Sequence, residues 1–304
     1  MTNNILPSWN DTEIKRSVLK FIERISDKDS EDFIPEENRI AVFNNDGTLW
    51  TEQPFPVQLL FALDRIKELA ELNPEMKNSQ PFKAFIEKDI KTISTFSKKD
   101  IMTFLFKTHD AKTLEEFESN VKHWFENAVH PRFKFSFYDS VFKPQVELLQ
   151  YLRENDFKTF IVSGGGINFM RVVSEKIYGI SSDRVIGSSG KTKIEYEGSK
   201  PLITRLPELG SFDDREEKVN NIYLHIGKRP VFAFGNSDGD LAMLRYTLAG
   251  EGLKMALLIH HDDSEREVAY DKDFKISPLK EALEVAEAEG INVVSMKNDW
   301  NKVF

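Results

Sequence analysis

The chain is 304 residues long, with 40% hydrophobic and 12% aromatic residues, enough to bury one large core or two modest ones. A formal net charge of -9 argues against nucleic acid or an anionic membrane as the main partner, because both require a basic face. With no cysteine there is no disulfide framework, thiolate metal site or thiol nucleophile. No run of about 18 apolar residues occurs, and no basic start precedes an apolar stretch at the N-terminus, so the expected location is cytoplasmic, or periplasmic had a leader been removed.

In chain order, the first predicted element is a helix over 11–25, where Ile14, Val18, Leu19, Phe21, Ile22 and Ile25 recur at helical spacing behind Asn10 or Asp11 as N-cap. Residues 39–43 are a short apolar run stopped by Asn44-Asn45-Asp46-Gly47, the pattern of a buried strand ending in a polar turn. The composition then changes, with helical patterns near 57–72, 81–93, 98–106 and 114–125 and no convincing strand between them. A helical block of about 85 residues is too long for a connection and reads as a cap.

From residue 141 strand and helix alternate: a helix to about 155, a strand at 159–162, a helix at 167–178 and a strand at 184–186. A small hairpin follows at 193–197 and 201–203, then a helix at 214–226 and strands at 230–234, 255–259 and 292–295. This alternation predicts a parallel sheet flanked by helices.

Three of the apolar strands run into polar, glycine-bearing turns: Asn44-Asn45-Asp46-Gly47-Thr48, Ser163-Gly164-Gly165-Gly166 and Gly235-Asn236-Ser237-Asp238-Gly239-Asp240. Ligands of open parallel sheets bind beyond the carboxyl ends of the strands, so the three turns are expected to converge. Side chains at i and i+2 of an extended segment point the same way, so residues 44 and 46 can face one ligand. Ser163 and the N–H groups of Gly164 and Gly165, at a helix entry, suit phosphate oxygens, although Ser163 is equally placed to be a plain helix cap.

Taken together, NNDGTLW at Asn44 to Trp50, VSGGG at Val162 to Gly166, Lys218, and GNSDGD at Gly235 to Asp240 resemble the four motifs of the haloacid dehalogenase superfamily, in its phosphoserine-phosphatase-like branch. HPRF at His130 to Phe133 and HHDD at His260 to Asp263 extend the likeness, while the cap is matched loosely. The resemblance implies an α/β fold, a Rossmann-like parallel-sheet core over 1–50 and 139–304 with an inserted helical cap of the C1 type over 51–138. It also implies a Mg²⁺-dependent hydrolysis of a small phosphomonoester through an aspartyl-phosphate. Asp46 would be the general acid and base. Phosphate would be held by Thr48, Ser163, Gly164 and Gly165, and its charge neutralised by Lys218, with Lys228 as rival. Mg²⁺ would be bound by the side chain of Asn44, the backbone carbonyl of Asp46, and Asn236, with Asp240 orienting Lys218 or the metal waters and Asp238 an alternative ligand.

The departure is Asn44, which stands where the family carries its nucleophilic aspartate. A neutral amide has no anionic oxygen to attack phosphorus, so the covalent step is expected to be severely impaired. Because the other motif residues are present, the chain reads as an otherwise intact phosphatase; the alternative is a non-catalytic pseudo-phosphatase that binds a phosphate ligand. Phosphoryl transfer in a mutase stays open. The adjacent residues of His260-His261-Asp262-Asp263 point to opposite faces of an extended segment and cannot all reach one ion, so they are expected to support the site from behind or to contact the cap. Trp50, Phe55, Trp124, His130 and Phe133 are candidate pocket residues against a background expectation of core packing, and an aromatic pocket would suit a quaternary amine.

Overall fold

A computed structural model describes residues 5–87, 89–93, 95–97, 100–101, 104–105 and 113–304. Strands β1 (Ile40–Phe43), β2 (Lys158–Gly166), β3 (Val185–Glu197), β4 (Lys200–Ser211), β5 (Phe232–Gly235), β6 (Met255–His260) and β7 (Asn292–Ser295) form one sheet in the order β4-β3-β2-β1-β5-β6-β7. All neighbours pair in parallel except β3 and β4, which are antiparallel.

The central strands read as unbroken apolar runs because both faces of the sheet are covered. Ala41, Phe43, Phe232, Phe234, Leu257 and Ile259 enter one apolar cluster, whereas Ile40, Val42, Ala233, Ala256 and Leu258 enter the other. The first cluster is closed by the helix Glu13–Ser26, whose Val18, Phe21, Ile22 and Ile25 are buried. Its N-cap is Thr12, not Asn10 or Asp11: the Thr12 hydroxyl accepts from Lys15 N at 3.4 Å, one residue later than periodicity alone suggested.

Between β1 and β2 the described elements are helical, including Val57–Leu72, Phe82–Glu87, Ile90–Ile93 and Leu114–Asn127. The expected helix over 81–93 is thus interrupted, and of the one expected over 98–106 five residues lie outside the described ones. Leu59, Ala62, Ile66, Phe85, Ile101, Phe104 and Leu105 form their own cluster, while Phe117, Val121 and Phe125 join the main core. The helix predicted over 167–178 is two short ones, Ile167–Arg171 and Ser174–Tyr178. The hairpin is longer than predicted, because β3 parts from β2 after Ser188 and continues, paired with β4 alone, to a turn at Gly198. Among the described residues no helix is long and apolar enough to cross a membrane.

Candidate active site

β2, β1 and β5 are neighbours, so Ser163–Gly166, which is the end of β2 and not a turn after it, lies beside the polar turns that follow β1 and β5. Asn44 follows β1, its N–H still bonded to Phe234 O of β5 at 2.9 Å. Its side-chain oxygen accepts from Lys218 Nζ at 3.1 Å, and its amide nitrogen donates to Asp46 O at 2.9 Å and Asn236 Oδ1 at 2.8 Å. Lys218, on the helix Glu216–Ile226, is buried; its ammonium also donates to Val162 O at 2.7 Å and lies 2.9 Å from Asp240 Oδ1. The other oxygen of Asp240 accepts from Asn236 N at 2.9 Å and from Ser237 N at 3.0 Å, which fixes the turn after β5.

Asp46 has one oxygen held by Trp50 Nε1 at 2.7 Å. Its other oxygen faces Gly165 so closely that a Cβ there would stand 3.3 Å from it and 3.7 Å from Ser163 Oγ. Asn44, Asp46, Ser163, Gly164, Gly165, Lys218 and Asp240 share one cavity. From the helical insertion it is lined by Pro56, Gln58, Leu59, Ile101 and Leu105, and from later loops by Phe212, Asp214, Ile276 and Ser277. Gln58 Oε1 accepts from Gly166 N at 2.7 Å and so ties the first helix of the insertion to the second motif.

Glu52 also lines this cavity, and sequence reasoning missed it. Its Oε1 accepts from Asn236 Nδ2 at 2.9 Å, Tyr270 Oη at 2.8 Å and Ser277 Oγ at 2.6 Å. Burial pushes its carboxyl up to about 7; the Ser277 bond opposes this, the Asp46 charge adds to it, and Tyr270 and His261 pull it back. It stands two residues after Trp50, just beyond the first motif, and a carboxylate beside a ligand-binding turn was the available signal.

Other expected residues fall elsewhere. Thr48 is fully buried and donates to Asn236 Oδ1 at 2.9 Å, behind the cavity. Lys228 is bonded to Glu37 O at 2.9 Å and Asn38 Oδ1 at 2.7 Å, away from the site, and Asp238 Oδ1 accepts from Lys280 N and Ala282 N at 2.9 and 3.0 Å, capping the helix Glu281–Glu289. In the HHDD segment, His261 Nε2 meets Gly47 O at 2.8 Å, Asp262 accepts from Ser295 Oγ and Lys297 N, and Asp263 pairs with Arg266. Among the described residues no group of three or more His, Cys, Asp or Glu could hold a metal ion. Of the aromatic candidates none is a described lining residue: Trp50 and Trp124 pack with Phe125, Phe55 packs with the insertion's own cluster, and Phe133 stacks with His130 and Phe135. Aromatic surface is better used in packing, and the one described aromatic lining residue is Phe212.

Gly47 sits at φ +72°, and a Cβ there would lie 2.8 Å from Asn236 Cγ and 2.5 Å from Glu52 Oε1. Gly47→Ala is expected to destabilise by about 2 kcal/mol or more in urea unfolding, since strain and displacement of both partners add; a change under about 0.5 kcal/mol would mean that the turn is not so constrained. Asp213 is buried just before the Lys218 helix, and its carboxyl is pushed up to about 6 by burial, against the pull of Lys218 and Asn221. A carboxyl raised in the folded state costs nothing below its unfolded value near 4, and its cost grows through pH 4–6 and is full above 6. Asp213→Asn is therefore expected to stabilise the protein at pH 8 by at most roughly 3 kcal/mol and to leave pH 4 unchanged. Thermal melts at both pH values measure this, and equal shifts at both would contradict it.

No curated protein matches the chain. Among solved structures, a protein with unknown function from Bordetella pertussis Tohama I aligns with a TM-score of 0.53 and 12% identity over 84% of this chain and 98% of that one. A conserved functionally unknown protein from Anaerococcus prevotii DSM 20548 aligns with a TM-score of 0.51 and 17% identity, over 82% and 86%. A phosphoserine phosphohydrolase-like protein from Francisella tularensis subsp. tularensis SCHU S4 aligns with a TM-score of 0.44 and 12% identity, over 84% and 94%. The family model described as haloacid dehalogenase-like hydrolase matches residues 41–245, a stretch that runs from β1 through the turn after β5 and carries all four motifs. With that match and the mostly parallel seven-stranded sheet beneath a helical insertion, the chain belongs to the haloacid dehalogenase-like hydrolases.

Proposed function

We propose that this chain is built as a phosphatase of small phosphomonoesters, and that Asn44 leaves it with the groups that bind phosphate and handle protons but without the nucleophile. The observation that carries this reading is the meeting of Asn44, Asp46, Ser163 and Lys218 in one cavity at the carboxyl ends of β1 and β2. Ser163 Oγ and the N–H groups of Gly164 and Gly165 hold the phosphoryl oxygens. Lys218, 3.1 Å from Asn44 Oδ1, neutralises charge between position 44 and phosphorus. Asp46, steadied by Trp50, would give a proton to the leaving oxygen as a carboxylate at position 44 takes the phosphoryl group, and would then take a proton from the water that hydrolyses it. Thr48 acts through Asn236 and does not touch the ligand. The described residues between 51 and 138 form the cap that excludes water, and Leu59, Ile101 and Leu105 give it an apolar underside suited to a small leaving group.

The magnesium ion of such a reaction would polarise the phosphoryl group as a Lewis acid. The oxygens expected to bind it, Asp46 O and Asn236 Oδ1, both already accept from the Asn44 amide nitrogen. The residues present do not fit the ion as they stand, and no step above depends on it.

The test is phosphate release from a panel of small phosphomonoesters with magnesium, comparing this chain with Asn44→Asp. Activity in the variant and almost none in the chain as given supports the phosphatase reading. No release by either, with both folded, would leave the phosphate-ligand-binding protein as the better reading.

A further inference from the structure

Asp46 O, Asn236 Oδ1 and the side chain of residue 44 form a cradle closed by hydrogen bonds. Asn44 Nδ2 uses both hydrogens there, at 2.9 Å to Asp46 O and 2.8 Å to Asn236 Oδ1. The orientation of this amide is fixed from both sides. On one side stands the Lys218 ammonium, three donors and no acceptor, 3.1 Å from Asn44 Oδ1 and itself anchored on Val162 O and Asp240. On the other, Asn236 gives its Nδ2 to Glu52 at 2.9 Å, which leaves its Oδ1 turned toward Asn44 and Thr48. Turning the Asn44 amide over to offer oxygen to a cation would set its NH₂ against the Lys218 ammonium, donor against donor.

We infer that the Asn44 amide occupies the place that a divalent cation takes when residue 44 is a carboxylate, so that this chain takes up magnesium at the site far more weakly than its Asn44→Asp variant. Magnesium requires oxygen donors in near-octahedral array and is usually held by one or two carboxylates. Here the cradle offers two neutral oxygens and an NH₂ whose partial positive charge points at the ion's position. Aspartate at 44 replaces that nitrogen by oxygen. One of its oxygens keeps the Lys218 bond; the other faces Asp46 O and Asn236 Oδ1 with no hydrogen between them. Three converging oxygens are unfavourable when empty and a coordination site when an ion is supplied.

The inference rests on the phosphatase reading for the identity of the ion, but its readout is ion binding, so the two fail separately: turnover can be absent while binding follows the pattern below. The experiment compares thermal unfolding and calorimetric MgCl₂ titration of the full chain and of Asn44→Asp, each first in EDTA. In EDTA the variant is expected to melt about 5 °C below the chain as given, having lost a donor to two buried acceptors. Millimolar magnesium then raises the variant's Tm and leaves the chain as given unmoved, with an affinity at least about 100-fold weaker for the latter. A variant that stays folded only with magnesium, and unfolds on EDTA, gives the same answer. Magnesium affinities within about tenfold of each other, or a variant indifferent to magnesium, would overturn the inference, because the amide would then not be what closes the cradle.

Discussion

Lys218→Met is expected to lower stability by about 3–5 kcal/mol and to abolish phosphate binding. The Lys218 side chain is 2% exposed, and its ammonium meets three oxygens, from Val162, Asn44 and Asp240. Methionine fills the same volume but leaves the Asp240 carboxylate buried without its cation, and an uncompensated buried charge costs more than the pair ever contributed. The diagnostic comparison is therefore with Lys218→Met/Asp240→Asn. Removing both charges should recover more than about 1 kcal/mol relative to the single variant, as measured by urea unfolding of each. A single variant within about 1 kcal/mol of the parent would mean that Lys218 is not the buried centre of this network.

On the proposed reading, Asn44→Asp is expected to raise phosphate release with magnesium by about 10³-fold or more, since it supplies an anionic oxygen at position 44 and removes the amide hydrogens from the cradle. The change is isosteric, and Lys218 Nζ already lies 3.1 Å from the side-chain oxygen at this position. Asp46 keeps its Trp50 bond in either form, because that bond does not involve residue 44. On the proposed reading the gain at saturating magnesium is expected in kcat, because the phosphate contacts proposed for Ser163, Gly164 and Gly165 do not involve residue 44. Equal rates for the two proteins would mean that position 44 is not where phosphorus is attacked.

The sequence carried the scaffold well because the scaffold is periodic. Apolar runs such as Ile40–Phe43 are legible once both faces of a sheet are buried, and each run ended in glycine and short polar residues because the chain must turn sharply there. The convergence of the three turns followed from the topology of parallel sheets. The groups that hold the turns in place were not legible. Tyr270 and Ser277 reach Glu52 from 218 and 225 residues away in the chain, and a loop contact of that kind has no period to betray it. The break between Ile167–Arg171 and Ser174–Tyr178 was hidden for the opposite reason, since its apolar residues keep helical spacing although the backbone does not. The aromatic residues suggested a pocket by composition, yet Trp124, partly buried, lies 4.4 Å from Phe137 ring to ring and packs against the core instead. Asn44 was visible as a substitution, but only the structure gives the consequence that its two hydrogens fall on the two oxygens of the cradle.

The most direct measurement is the fate of the phosphoryl group on the protein. Asn44→Asp and the chain as given are each mixed with para-nitrophenyl phosphate and magnesium, quenched in acid within the first turnover, and digested for mass spectrometry. One added phosphoryl group is expected on the peptide that carries position 44 of the variant, and none on the same peptide of the chain with Asn44. A phosphoryl group on any other residue, or nitrophenol released equally fast by the two proteins, would contradict this expectation.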